Sequence, residues 1–128
     1  MMTNIVGDVN FPENQEYWEA LEKNKLLIKR CTECRKPHHY PRAHCPFCGS
    51  VATAWELSSG DGEIYSFTMI EHRAVPYCLA YVTLDEGPTV MTNLVDCELH
   101  AIEIGARVRV VFKRDADGRA LAMFTPVQ

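Results

Sequence analysis

Arg30-Cys31-Thr32-Glu33-Cys34 and, ten residues further on, Cys45-Pro46-Phe47-Cys48-Gly49 are the stretch on which the reading of this chain turns. Each Cys-x-x-Cys pair can aim both sulfurs at one point, and two such pairs at this separation close a tetrahedron about a single metal ion. Thiolates call for a soft or borderline cation, so zinc is the first expectation and iron the second. Gly49 suits a tight knuckle that needs positive φ. Four cysteines fill every position of a tetrahedral site, which leaves no place for water and makes the metal structural rather than catalytic. Disulfides or free thiols are the alternative, but nothing in the sequence looks secreted. His38, His39 and His44 are rival ligands that four well-spaced cysteines make unnecessary.

A chain of 128 residues has room for one ordinary domain, or for a small metal module joined to a small barrel. With 47% apolar and 23% charged residues it reads as globular rather than disordered. Its apolar runs are too short to span a bilayer. Met1 to Ile5 lacks a basic region followed by an apolar core, so we expect no signal peptide, no membrane association and a reducing, cytoplasmic location. The formal net charge is -4. Four thiolates around a divalent ion would take it to about -6, which opposes non-specific nucleic-acid binding. Between residues 23 and 44, however, Lys23, Lys25, Lys29, Arg30, Arg35, Lys36 and Arg42 face only Glu33. This stretch either offsets the anionic metal centre or forms a surface for a phosphate-bearing ligand or acidic partner.

Upstream, Asn14 can cap a helix over about 15 to 24, with Glu16 and Glu19 suiting its dipole. Tyr17, Trp18 and Leu21 form an apolar stripe on it. So short a helix needs a cover, either this chain's own ribbon or barrel or a partner protein. Because Trp and Tyr are favoured interface anchors, we expect part of the stripe to meet a partner. Lys25 to Arg30 reads as a strand, and Pro37 and Pro41 bracket a short extended piece. From Ala54 on the pattern is one of strands and turns. Ser59-Gly60-Asp61-Gly62 reads as a turn, followed by strands over 63–70, 76–84, 89–95, 107–112 and 120–124, the last two joined by Asp115-Ala116-Asp117-Gly118. Five strands at this spacing fit a small closed barrel, of which the OB-fold is the expected type. The fold class is therefore mainly β, with residues 1–24 an N-terminal helical segment, 25–53 a rubredoxin-like zinc ribbon and 54–128 a five-stranded OB-fold barrel.

Catalytic motifs are missing: there is no Gly-x-Ser-x-Gly, no phosphate-cradling Gly-x-x-x-x-Gly-Lys and no His-Glu-x-x-His. Cys78 and Cys97 sit among apolar neighbours and read as buried small hydrophobes rather than nucleophiles; pairing of either with His72 or His100 is conceivable, but the sequence gives it no geometry. We expect no catalytic residue in this chain.

The Tyr17-Trp18 helix, the four-cysteine ribbon with Tyr40-Pro41-Arg42 before Cys45-Pro46-Phe47-Cys48-Gly49-Ser50, and Trp55 leading into Gly60-Asp61-Gly62-Glu63-Ile64-Tyr65-Ser66-Phe67-Thr68 together resemble one family. It is the set of small zinc-ribbon/OB-fold proteins, long catalogued as a domain of unknown function, that accompany thiolase-like enzymes. Leu79 to Pro88 and Ile104 to Val108 resemble it too, so the likeness covers almost the whole chain. The resemblance implies a non-catalytic subunit bound to a thiolase-like acyltransferase or aldolase that acts on acyl-CoA thioesters. In such complexes the OB-fold braces the partner and helps form the acyl-CoA passage, with coenzyme A thioester as a shared ligand, while the catalytic residues lie on the partner. It leaves the acyl-CoA substrate open and keeps the metal on Cys31, Cys34, Cys45 and Cys48, and with the helix stripe read as above, Tyr17, Trp18 and Leu21 are the expected partner-binding residues. Two rivals remain on the residues alone: a nucleic-acid-binding ribbon and OB-fold, opposed by the net charge, and rubredoxin-like electron transfer by iron, opposed by the short spacing between knuckles.

Overall fold

Asn14 does not cap the helix through its side chain; it is buried, and its Nδ2 donates to the Tyr40 hydroxyl at 2.9 Å. A 3-10 turn, Pro12–Asn14, leads into the helix α1, Gln15–Glu22, in this computed structural model, which describes residues 12–72 and 74–127. The expected absence of a signal peptide, and residues 1–11 of the helical segment, lie outside the described residues. The helix stops two residues earlier than its pattern suggests. Asn24 takes a left-handed φ of 60°, and the amides of Asn24 and Lys25 bond back to the carbonyls of Leu21 and Ala20. That pair of bonds is the glycine-type C-terminal closure, made here by an asparagine.

The chain divides into two compact units, one of residues 1–58 and 112–121, the other of 59–111 and 122–128. In the first, β1 (Leu27–Cys31), β2 (Pro37–His38) and β3 (Thr53–Leu57) form an antiparallel sheet in the order β2-β1-β3. β1 and β3 pair along their length, from Leu27 opposite Leu57 to Cys31 opposite Thr53. The boundary expected between 53 and 54 therefore falls inside a strand, and Ala54 to Leu57 belong with the ribbon sheet. The same unit holds an ion pair between Glu22 and Arg114, and Glu22 also accepts the Ala120 amide at 3.0 Å. Both contacts, led by the Arg114 bond, hold the Glu22 carboxyl below its ordinary pKa.

The expected five strands are β4 (Asp61–Ile70), β5 (Tyr77–Leu84), β6 (Thr89–Leu94), β7 (Arg107–Arg114) and β8 (Ala120–Pro126). They close a barrel in the order β4-β5-β6-β8-β7, antiparallel except where β6 meets β8 in parallel at Leu94 and Phe124. Ile64, Val82, Leu84, Leu94, Val108 and Phe124 fill it, each essentially removed from water, a burial that contributes about 1.5–3 kcal/mol per side chain. Gly60-Asp61-Gly62 is not the expected turn. Asp61 and Gly62 already pair with Arg109 and Val108, and a Cβ on Gly62 would lie 2.7 Å from the Thr83 carbonyl oxygen. Gly62 is needed for close approach of two strands rather than for a bend. Among the described residues, no helix is long and apolar enough to cross a membrane.

Candidate metal centre

Cys31 and Cys45 each open an identical turn. The Cys31 amide donates to the Lys36 carbonyl at 3.1 Å and the Arg35 amide returns to the Cys31 carbonyl at 2.9 Å. Around Cys45 the corresponding bonds run to Ser50 at 2.8 Å and from Gly49 at 2.9 Å. The turn after Cys45 needs the positive φ expected of Gly49, which is 82°. The turn after Cys31 needs it equally and places Arg35 at 68°. Sequence reasoning missed Arg35, because a non-glycine residue carries no such signal.

These turns bring the sulfurs of Cys31, Cys34, Cys45 and Cys48 within 4.8 Å of one another. The Sγ atoms of Cys31 and Cys48 lie 3.6 Å apart, as do those of Cys34 and Cys45. A metal with bonds of about 2.3 Å to four sulfurs sits in a tetrahedron with edges of about 3.8 Å, so the set fits a zinc-sized ion. The backbone favours thiolates. Cys31 Sγ faces the amides of Glu33 at 3.3 Å and Cys34 at 3.4 Å, and the Cys34 amide above all pulls its thiol down to about 6. At Cys45 burial opposes ionisation, yet the amides of Cys48 and Phe47 still bring the thiol below its ordinary value. Four thiolates this close repel one another unless a cation lies among them.

Around the centre, Lys29, Arg30 and Lys36 of the basic stretch are engaged. Arg30 Nε donates to Glu56 at 2.7 Å and its terminal nitrogen to the Arg35 carbonyl at 2.8 Å. Lys29 lies 4.6 Å from the centroid of the Trp55 ring, and Lys36 lies 5.3 Å from that of Phe47. Trp55 in turn donates to Glu16 at 2.5 Å. Arg30, Arg35, Trp55 and Glu56 line an open recess of about 380 Å³ beside Cys31.

Tyr17, Trp18 and Leu21 lie on the inward side of α1 and are 5%, 7% and 1% exposed. Tyr17 meets Trp18 edge-on at 5.4 Å, Arg119 lies 5.3 Å from the Trp18 ring centroid, and the Tyr17 hydroxyl is 3.1 Å from His39 Nε2. The outward side carries Gln15, Glu16 and Glu19. The cover expected of a partner is thus supplied within the first unit. His38 is buried with neither ring nitrogen hydrogen-bonded, and burial, then Lys29 and Arg42, lowers its pKa. Cys78 is fully buried and Cys97 half-buried, and burial raises both thiols above their ordinary value.

Residues 18–52 match the family model of the ChsH2 rubredoxin-like zinc ribbon domain, and residues 55–113 that of the ChsH2 C-terminal OB-fold domain. Over 110 residues the chain is 34% identical to a DUF35 domain-containing scaffold protein of Methanothermobacter thermautotrophicus, covering 80% of this chain and 83% of that protein. The chain belongs to the DUF35 family. Another relative of this DUF35 chain is the probable enoyl-CoA hydratase alpha subunit of Thermomonospora curvata, 33% identical over 119 residues. The match covers 89% of this chain but 37% of that subunit, so the chain spans little more than a third of that relative. Among solved structures, a chain of the Ltp2-ChsH2(DUF35) aldolase superposes with a TM-score of 0.82 at 31% identity, covering 93% of this chain and 98% of that one.

Proposed function

We propose that this DUF35 chain is the non-catalytic accessory subunit of an acyl-CoA-processing complex, bracing a thiolase-like or related enzyme subunit and helping to form its acyl-CoA passage. The observation that carries this reading is the near-complete overlap with the chain of the Ltp2-ChsH2(DUF35) aldolase. Relatives named as a scaffold protein and as a hydratase alpha subunit support it. So does the chemistry of the cysteine cluster. Cys31, Cys34, Cys45 and Cys48 would hold one zinc, and an ion closed by four thiolates fixes the two knuckles but offers no position for water or substrate.

Co-expression with a thiolase-like acyl-CoA enzyme subunit from the same organism, followed by size-exclusion chromatography with mass measurement, tests the reading. The expected result is a stable hetero-oligomer whose activity on acyl-CoA exceeds that of the enzyme subunit alone, with no turnover by the isolated DUF35 chain. Turnover by the isolated chain, abolished by Cys78→Ala or Cys97→Ala, would overturn it.

A further inference from the structure

Strand β5 reads Tyr77-Cys78-Leu79-Ala80-Tyr81-Val82-Thr83-Leu84 and is apolar on nearly every residue. Its even-numbered residues point into the barrel, none more than 1% exposed. Its odd-numbered residues face outward, where an antiparallel strand in contact with water should be polar; a strand apolar on both sides belongs to a sheet covered on both. The neighbouring strands continue this outer surface. Tyr81 lies opposite Met91 on β6 and opposite Ser66 on β4, beside the bulge that holds Tyr65, and Tyr77 lies opposite Ile70. Tyr65, Tyr81 and Met91 remain 67%, 44% and 61% exposed. Tyrosine and methionine are enriched at protein interfaces.

The border of this surface is acidic. Glu63 precedes Tyr65 by two residues on the same side of β4, Asp85 and Glu86 lie in the turn between β5 and β6, and Glu71 follows Ile70. The border's cations among the described residues are Arg107, opposite Glu63 and held by Asp85 at 2.8 Å, and Arg109, opposite Asp61, so with Asp61, Glu63, Glu71, Asp85 and Glu86 the border is acidic on balance. Such a rim repels a nucleic-acid strand, although the corresponding strands of OB-folds elsewhere bind oligonucleotides. It also disfavours a second copy, because a two-fold interface sets the same patch against itself and would oppose like charges. What it suits is a different protein with an apolar surface rimmed by lysine or arginine.

We propose that the outer face of β4, β5 and β6, centred on Tyr81, is the surface on which the acyl-CoA enzyme subunit docks through an apolar patch with a basic rim. This rests on the accessory-subunit reading above. The test measures binding of the whole 128-residue DUF35 chain to that enzyme subunit for wild type, Tyr81→Asp, Met91→Asp and Glu63→Lys. The aspartate variants should weaken binding by about thirtyfold or more, with melting temperature and zinc content unchanged. If Tyr81→Asp does not fold, Tyr81→Thr, which suits a strand, takes its place. Glu63→Lys should slow association at low salt, and the difference should vanish near 1 M salt, where screening acts within about 3 Å. A wild-type complex that all these variants form equally well overturns the docking face and leaves the accessory reading standing. A wild-type chain that forms no complex overturns both. A wild-type dimer made monomeric by Tyr81→Asp, or oligonucleotide binding lost in Tyr81→Thr, would assign the face to another occupant and overturn the proposal.

Discussion

Arg35 and Gly49 hold equivalent places in two copies of one turn: each has a left-handed backbone, φ 68° and 82°, and each donates its amide to the carbonyl of the cysteine four residues earlier, at 2.9 Å in both. The four-sulfur cluster is built by repeating this turn, once with glycine and once without. A non-glycine residue in this region costs about 1–2 kcal/mol, so the Cys31 knuckle is the more strained of the two.

Gly49→Ala and Arg35→Gly should therefore move stability in opposite directions. A Cβ at Gly49 would meet nothing within 4 Å, so Gly49→Ala isolates the backbone strain and should cost about 1 kcal/mol. Arg35→Gly relieves the strain at 35, and the metal-loaded protein should gain a few tenths to about 1 kcal/mol, less whatever the freer unfolded chain takes back. Urea unfolding of the zinc-loaded protein measures both; equal losses for the two variants would show that the turns are not equivalent.

Metal content separates the two kinds of cysteine. Cys45→Ser breaks a four-sulfur cluster, whereas Cys78→Ser changes a thiol buried in the barrel. Freshly purified wild type and Cys78→Ser should each carry about one zinc per chain, and Cys45→Ser much less, with the ribbon unfolded, since structural zinc supplies ~10 kcal/mol or more of apparent binding energy. Elemental analysis decides, and iron in place of zinc would point to electron transfer.

The cysteine spacing was enough to place the ribbon, and apolar runs between regularly spaced turn residues were enough to place the five barrel strands, because both are local patterns. What escaped the sequence depends on partners far along the chain. Trp55 to Leu57 continues smoothly into the barrel pattern, yet pairs with β1, since the ribbon loop returns Thr53 to Cys31. Gly62 resembles a turn residue, but its reason is the Thr83 carbonyl on the next strand. Asn14 has the composition of a cap, and Tyr40 draws its amide away. The helix stripe was visible as a stripe; which surface covers it was not.

Trp18 tests that cover directly. At 7% exposure, with Tyr17 and Arg119 against its ring, Trp18→Ala should destabilise the chain by about 3–5 kcal/mol. Its Nε1 is buried without a hydrogen-bond partner, so Trp18→Phe loses no bond and should cost far less. Thermal melts and complex formation on both variants distinguish the alternatives. Unchanged melting with a lost complex would return the stripe to a partner.

His39 gives the fold a pH dependence of definite sign. Burial, and then His38, pushes its pKa down to about 4, and the Tyr17 hydroxyl lies 3.1 Å from a ring nitrogen that can accept only while the ring is neutral. In the unfolded chain the same ring titrates near 6.5. Between these values the unfolded state holds a proton that the folded state does not, so stability is fully present above about 6.5, falls as the pH drops toward 4, and levels off below. The loss should reach about 3 kcal/mol. Acid also competes for the metal thiolates, so the comparison is with His39→Gln, whose amide can accept from Tyr17 without titrating. Urea unfolding at intervals from pH 7 to 4 should show wild type losing stability faster than His39→Gln. A constant difference between the two across that range would mean that His39 is already protonated in the folded chain at neutral pH or contributes nothing to the acid sensitivity.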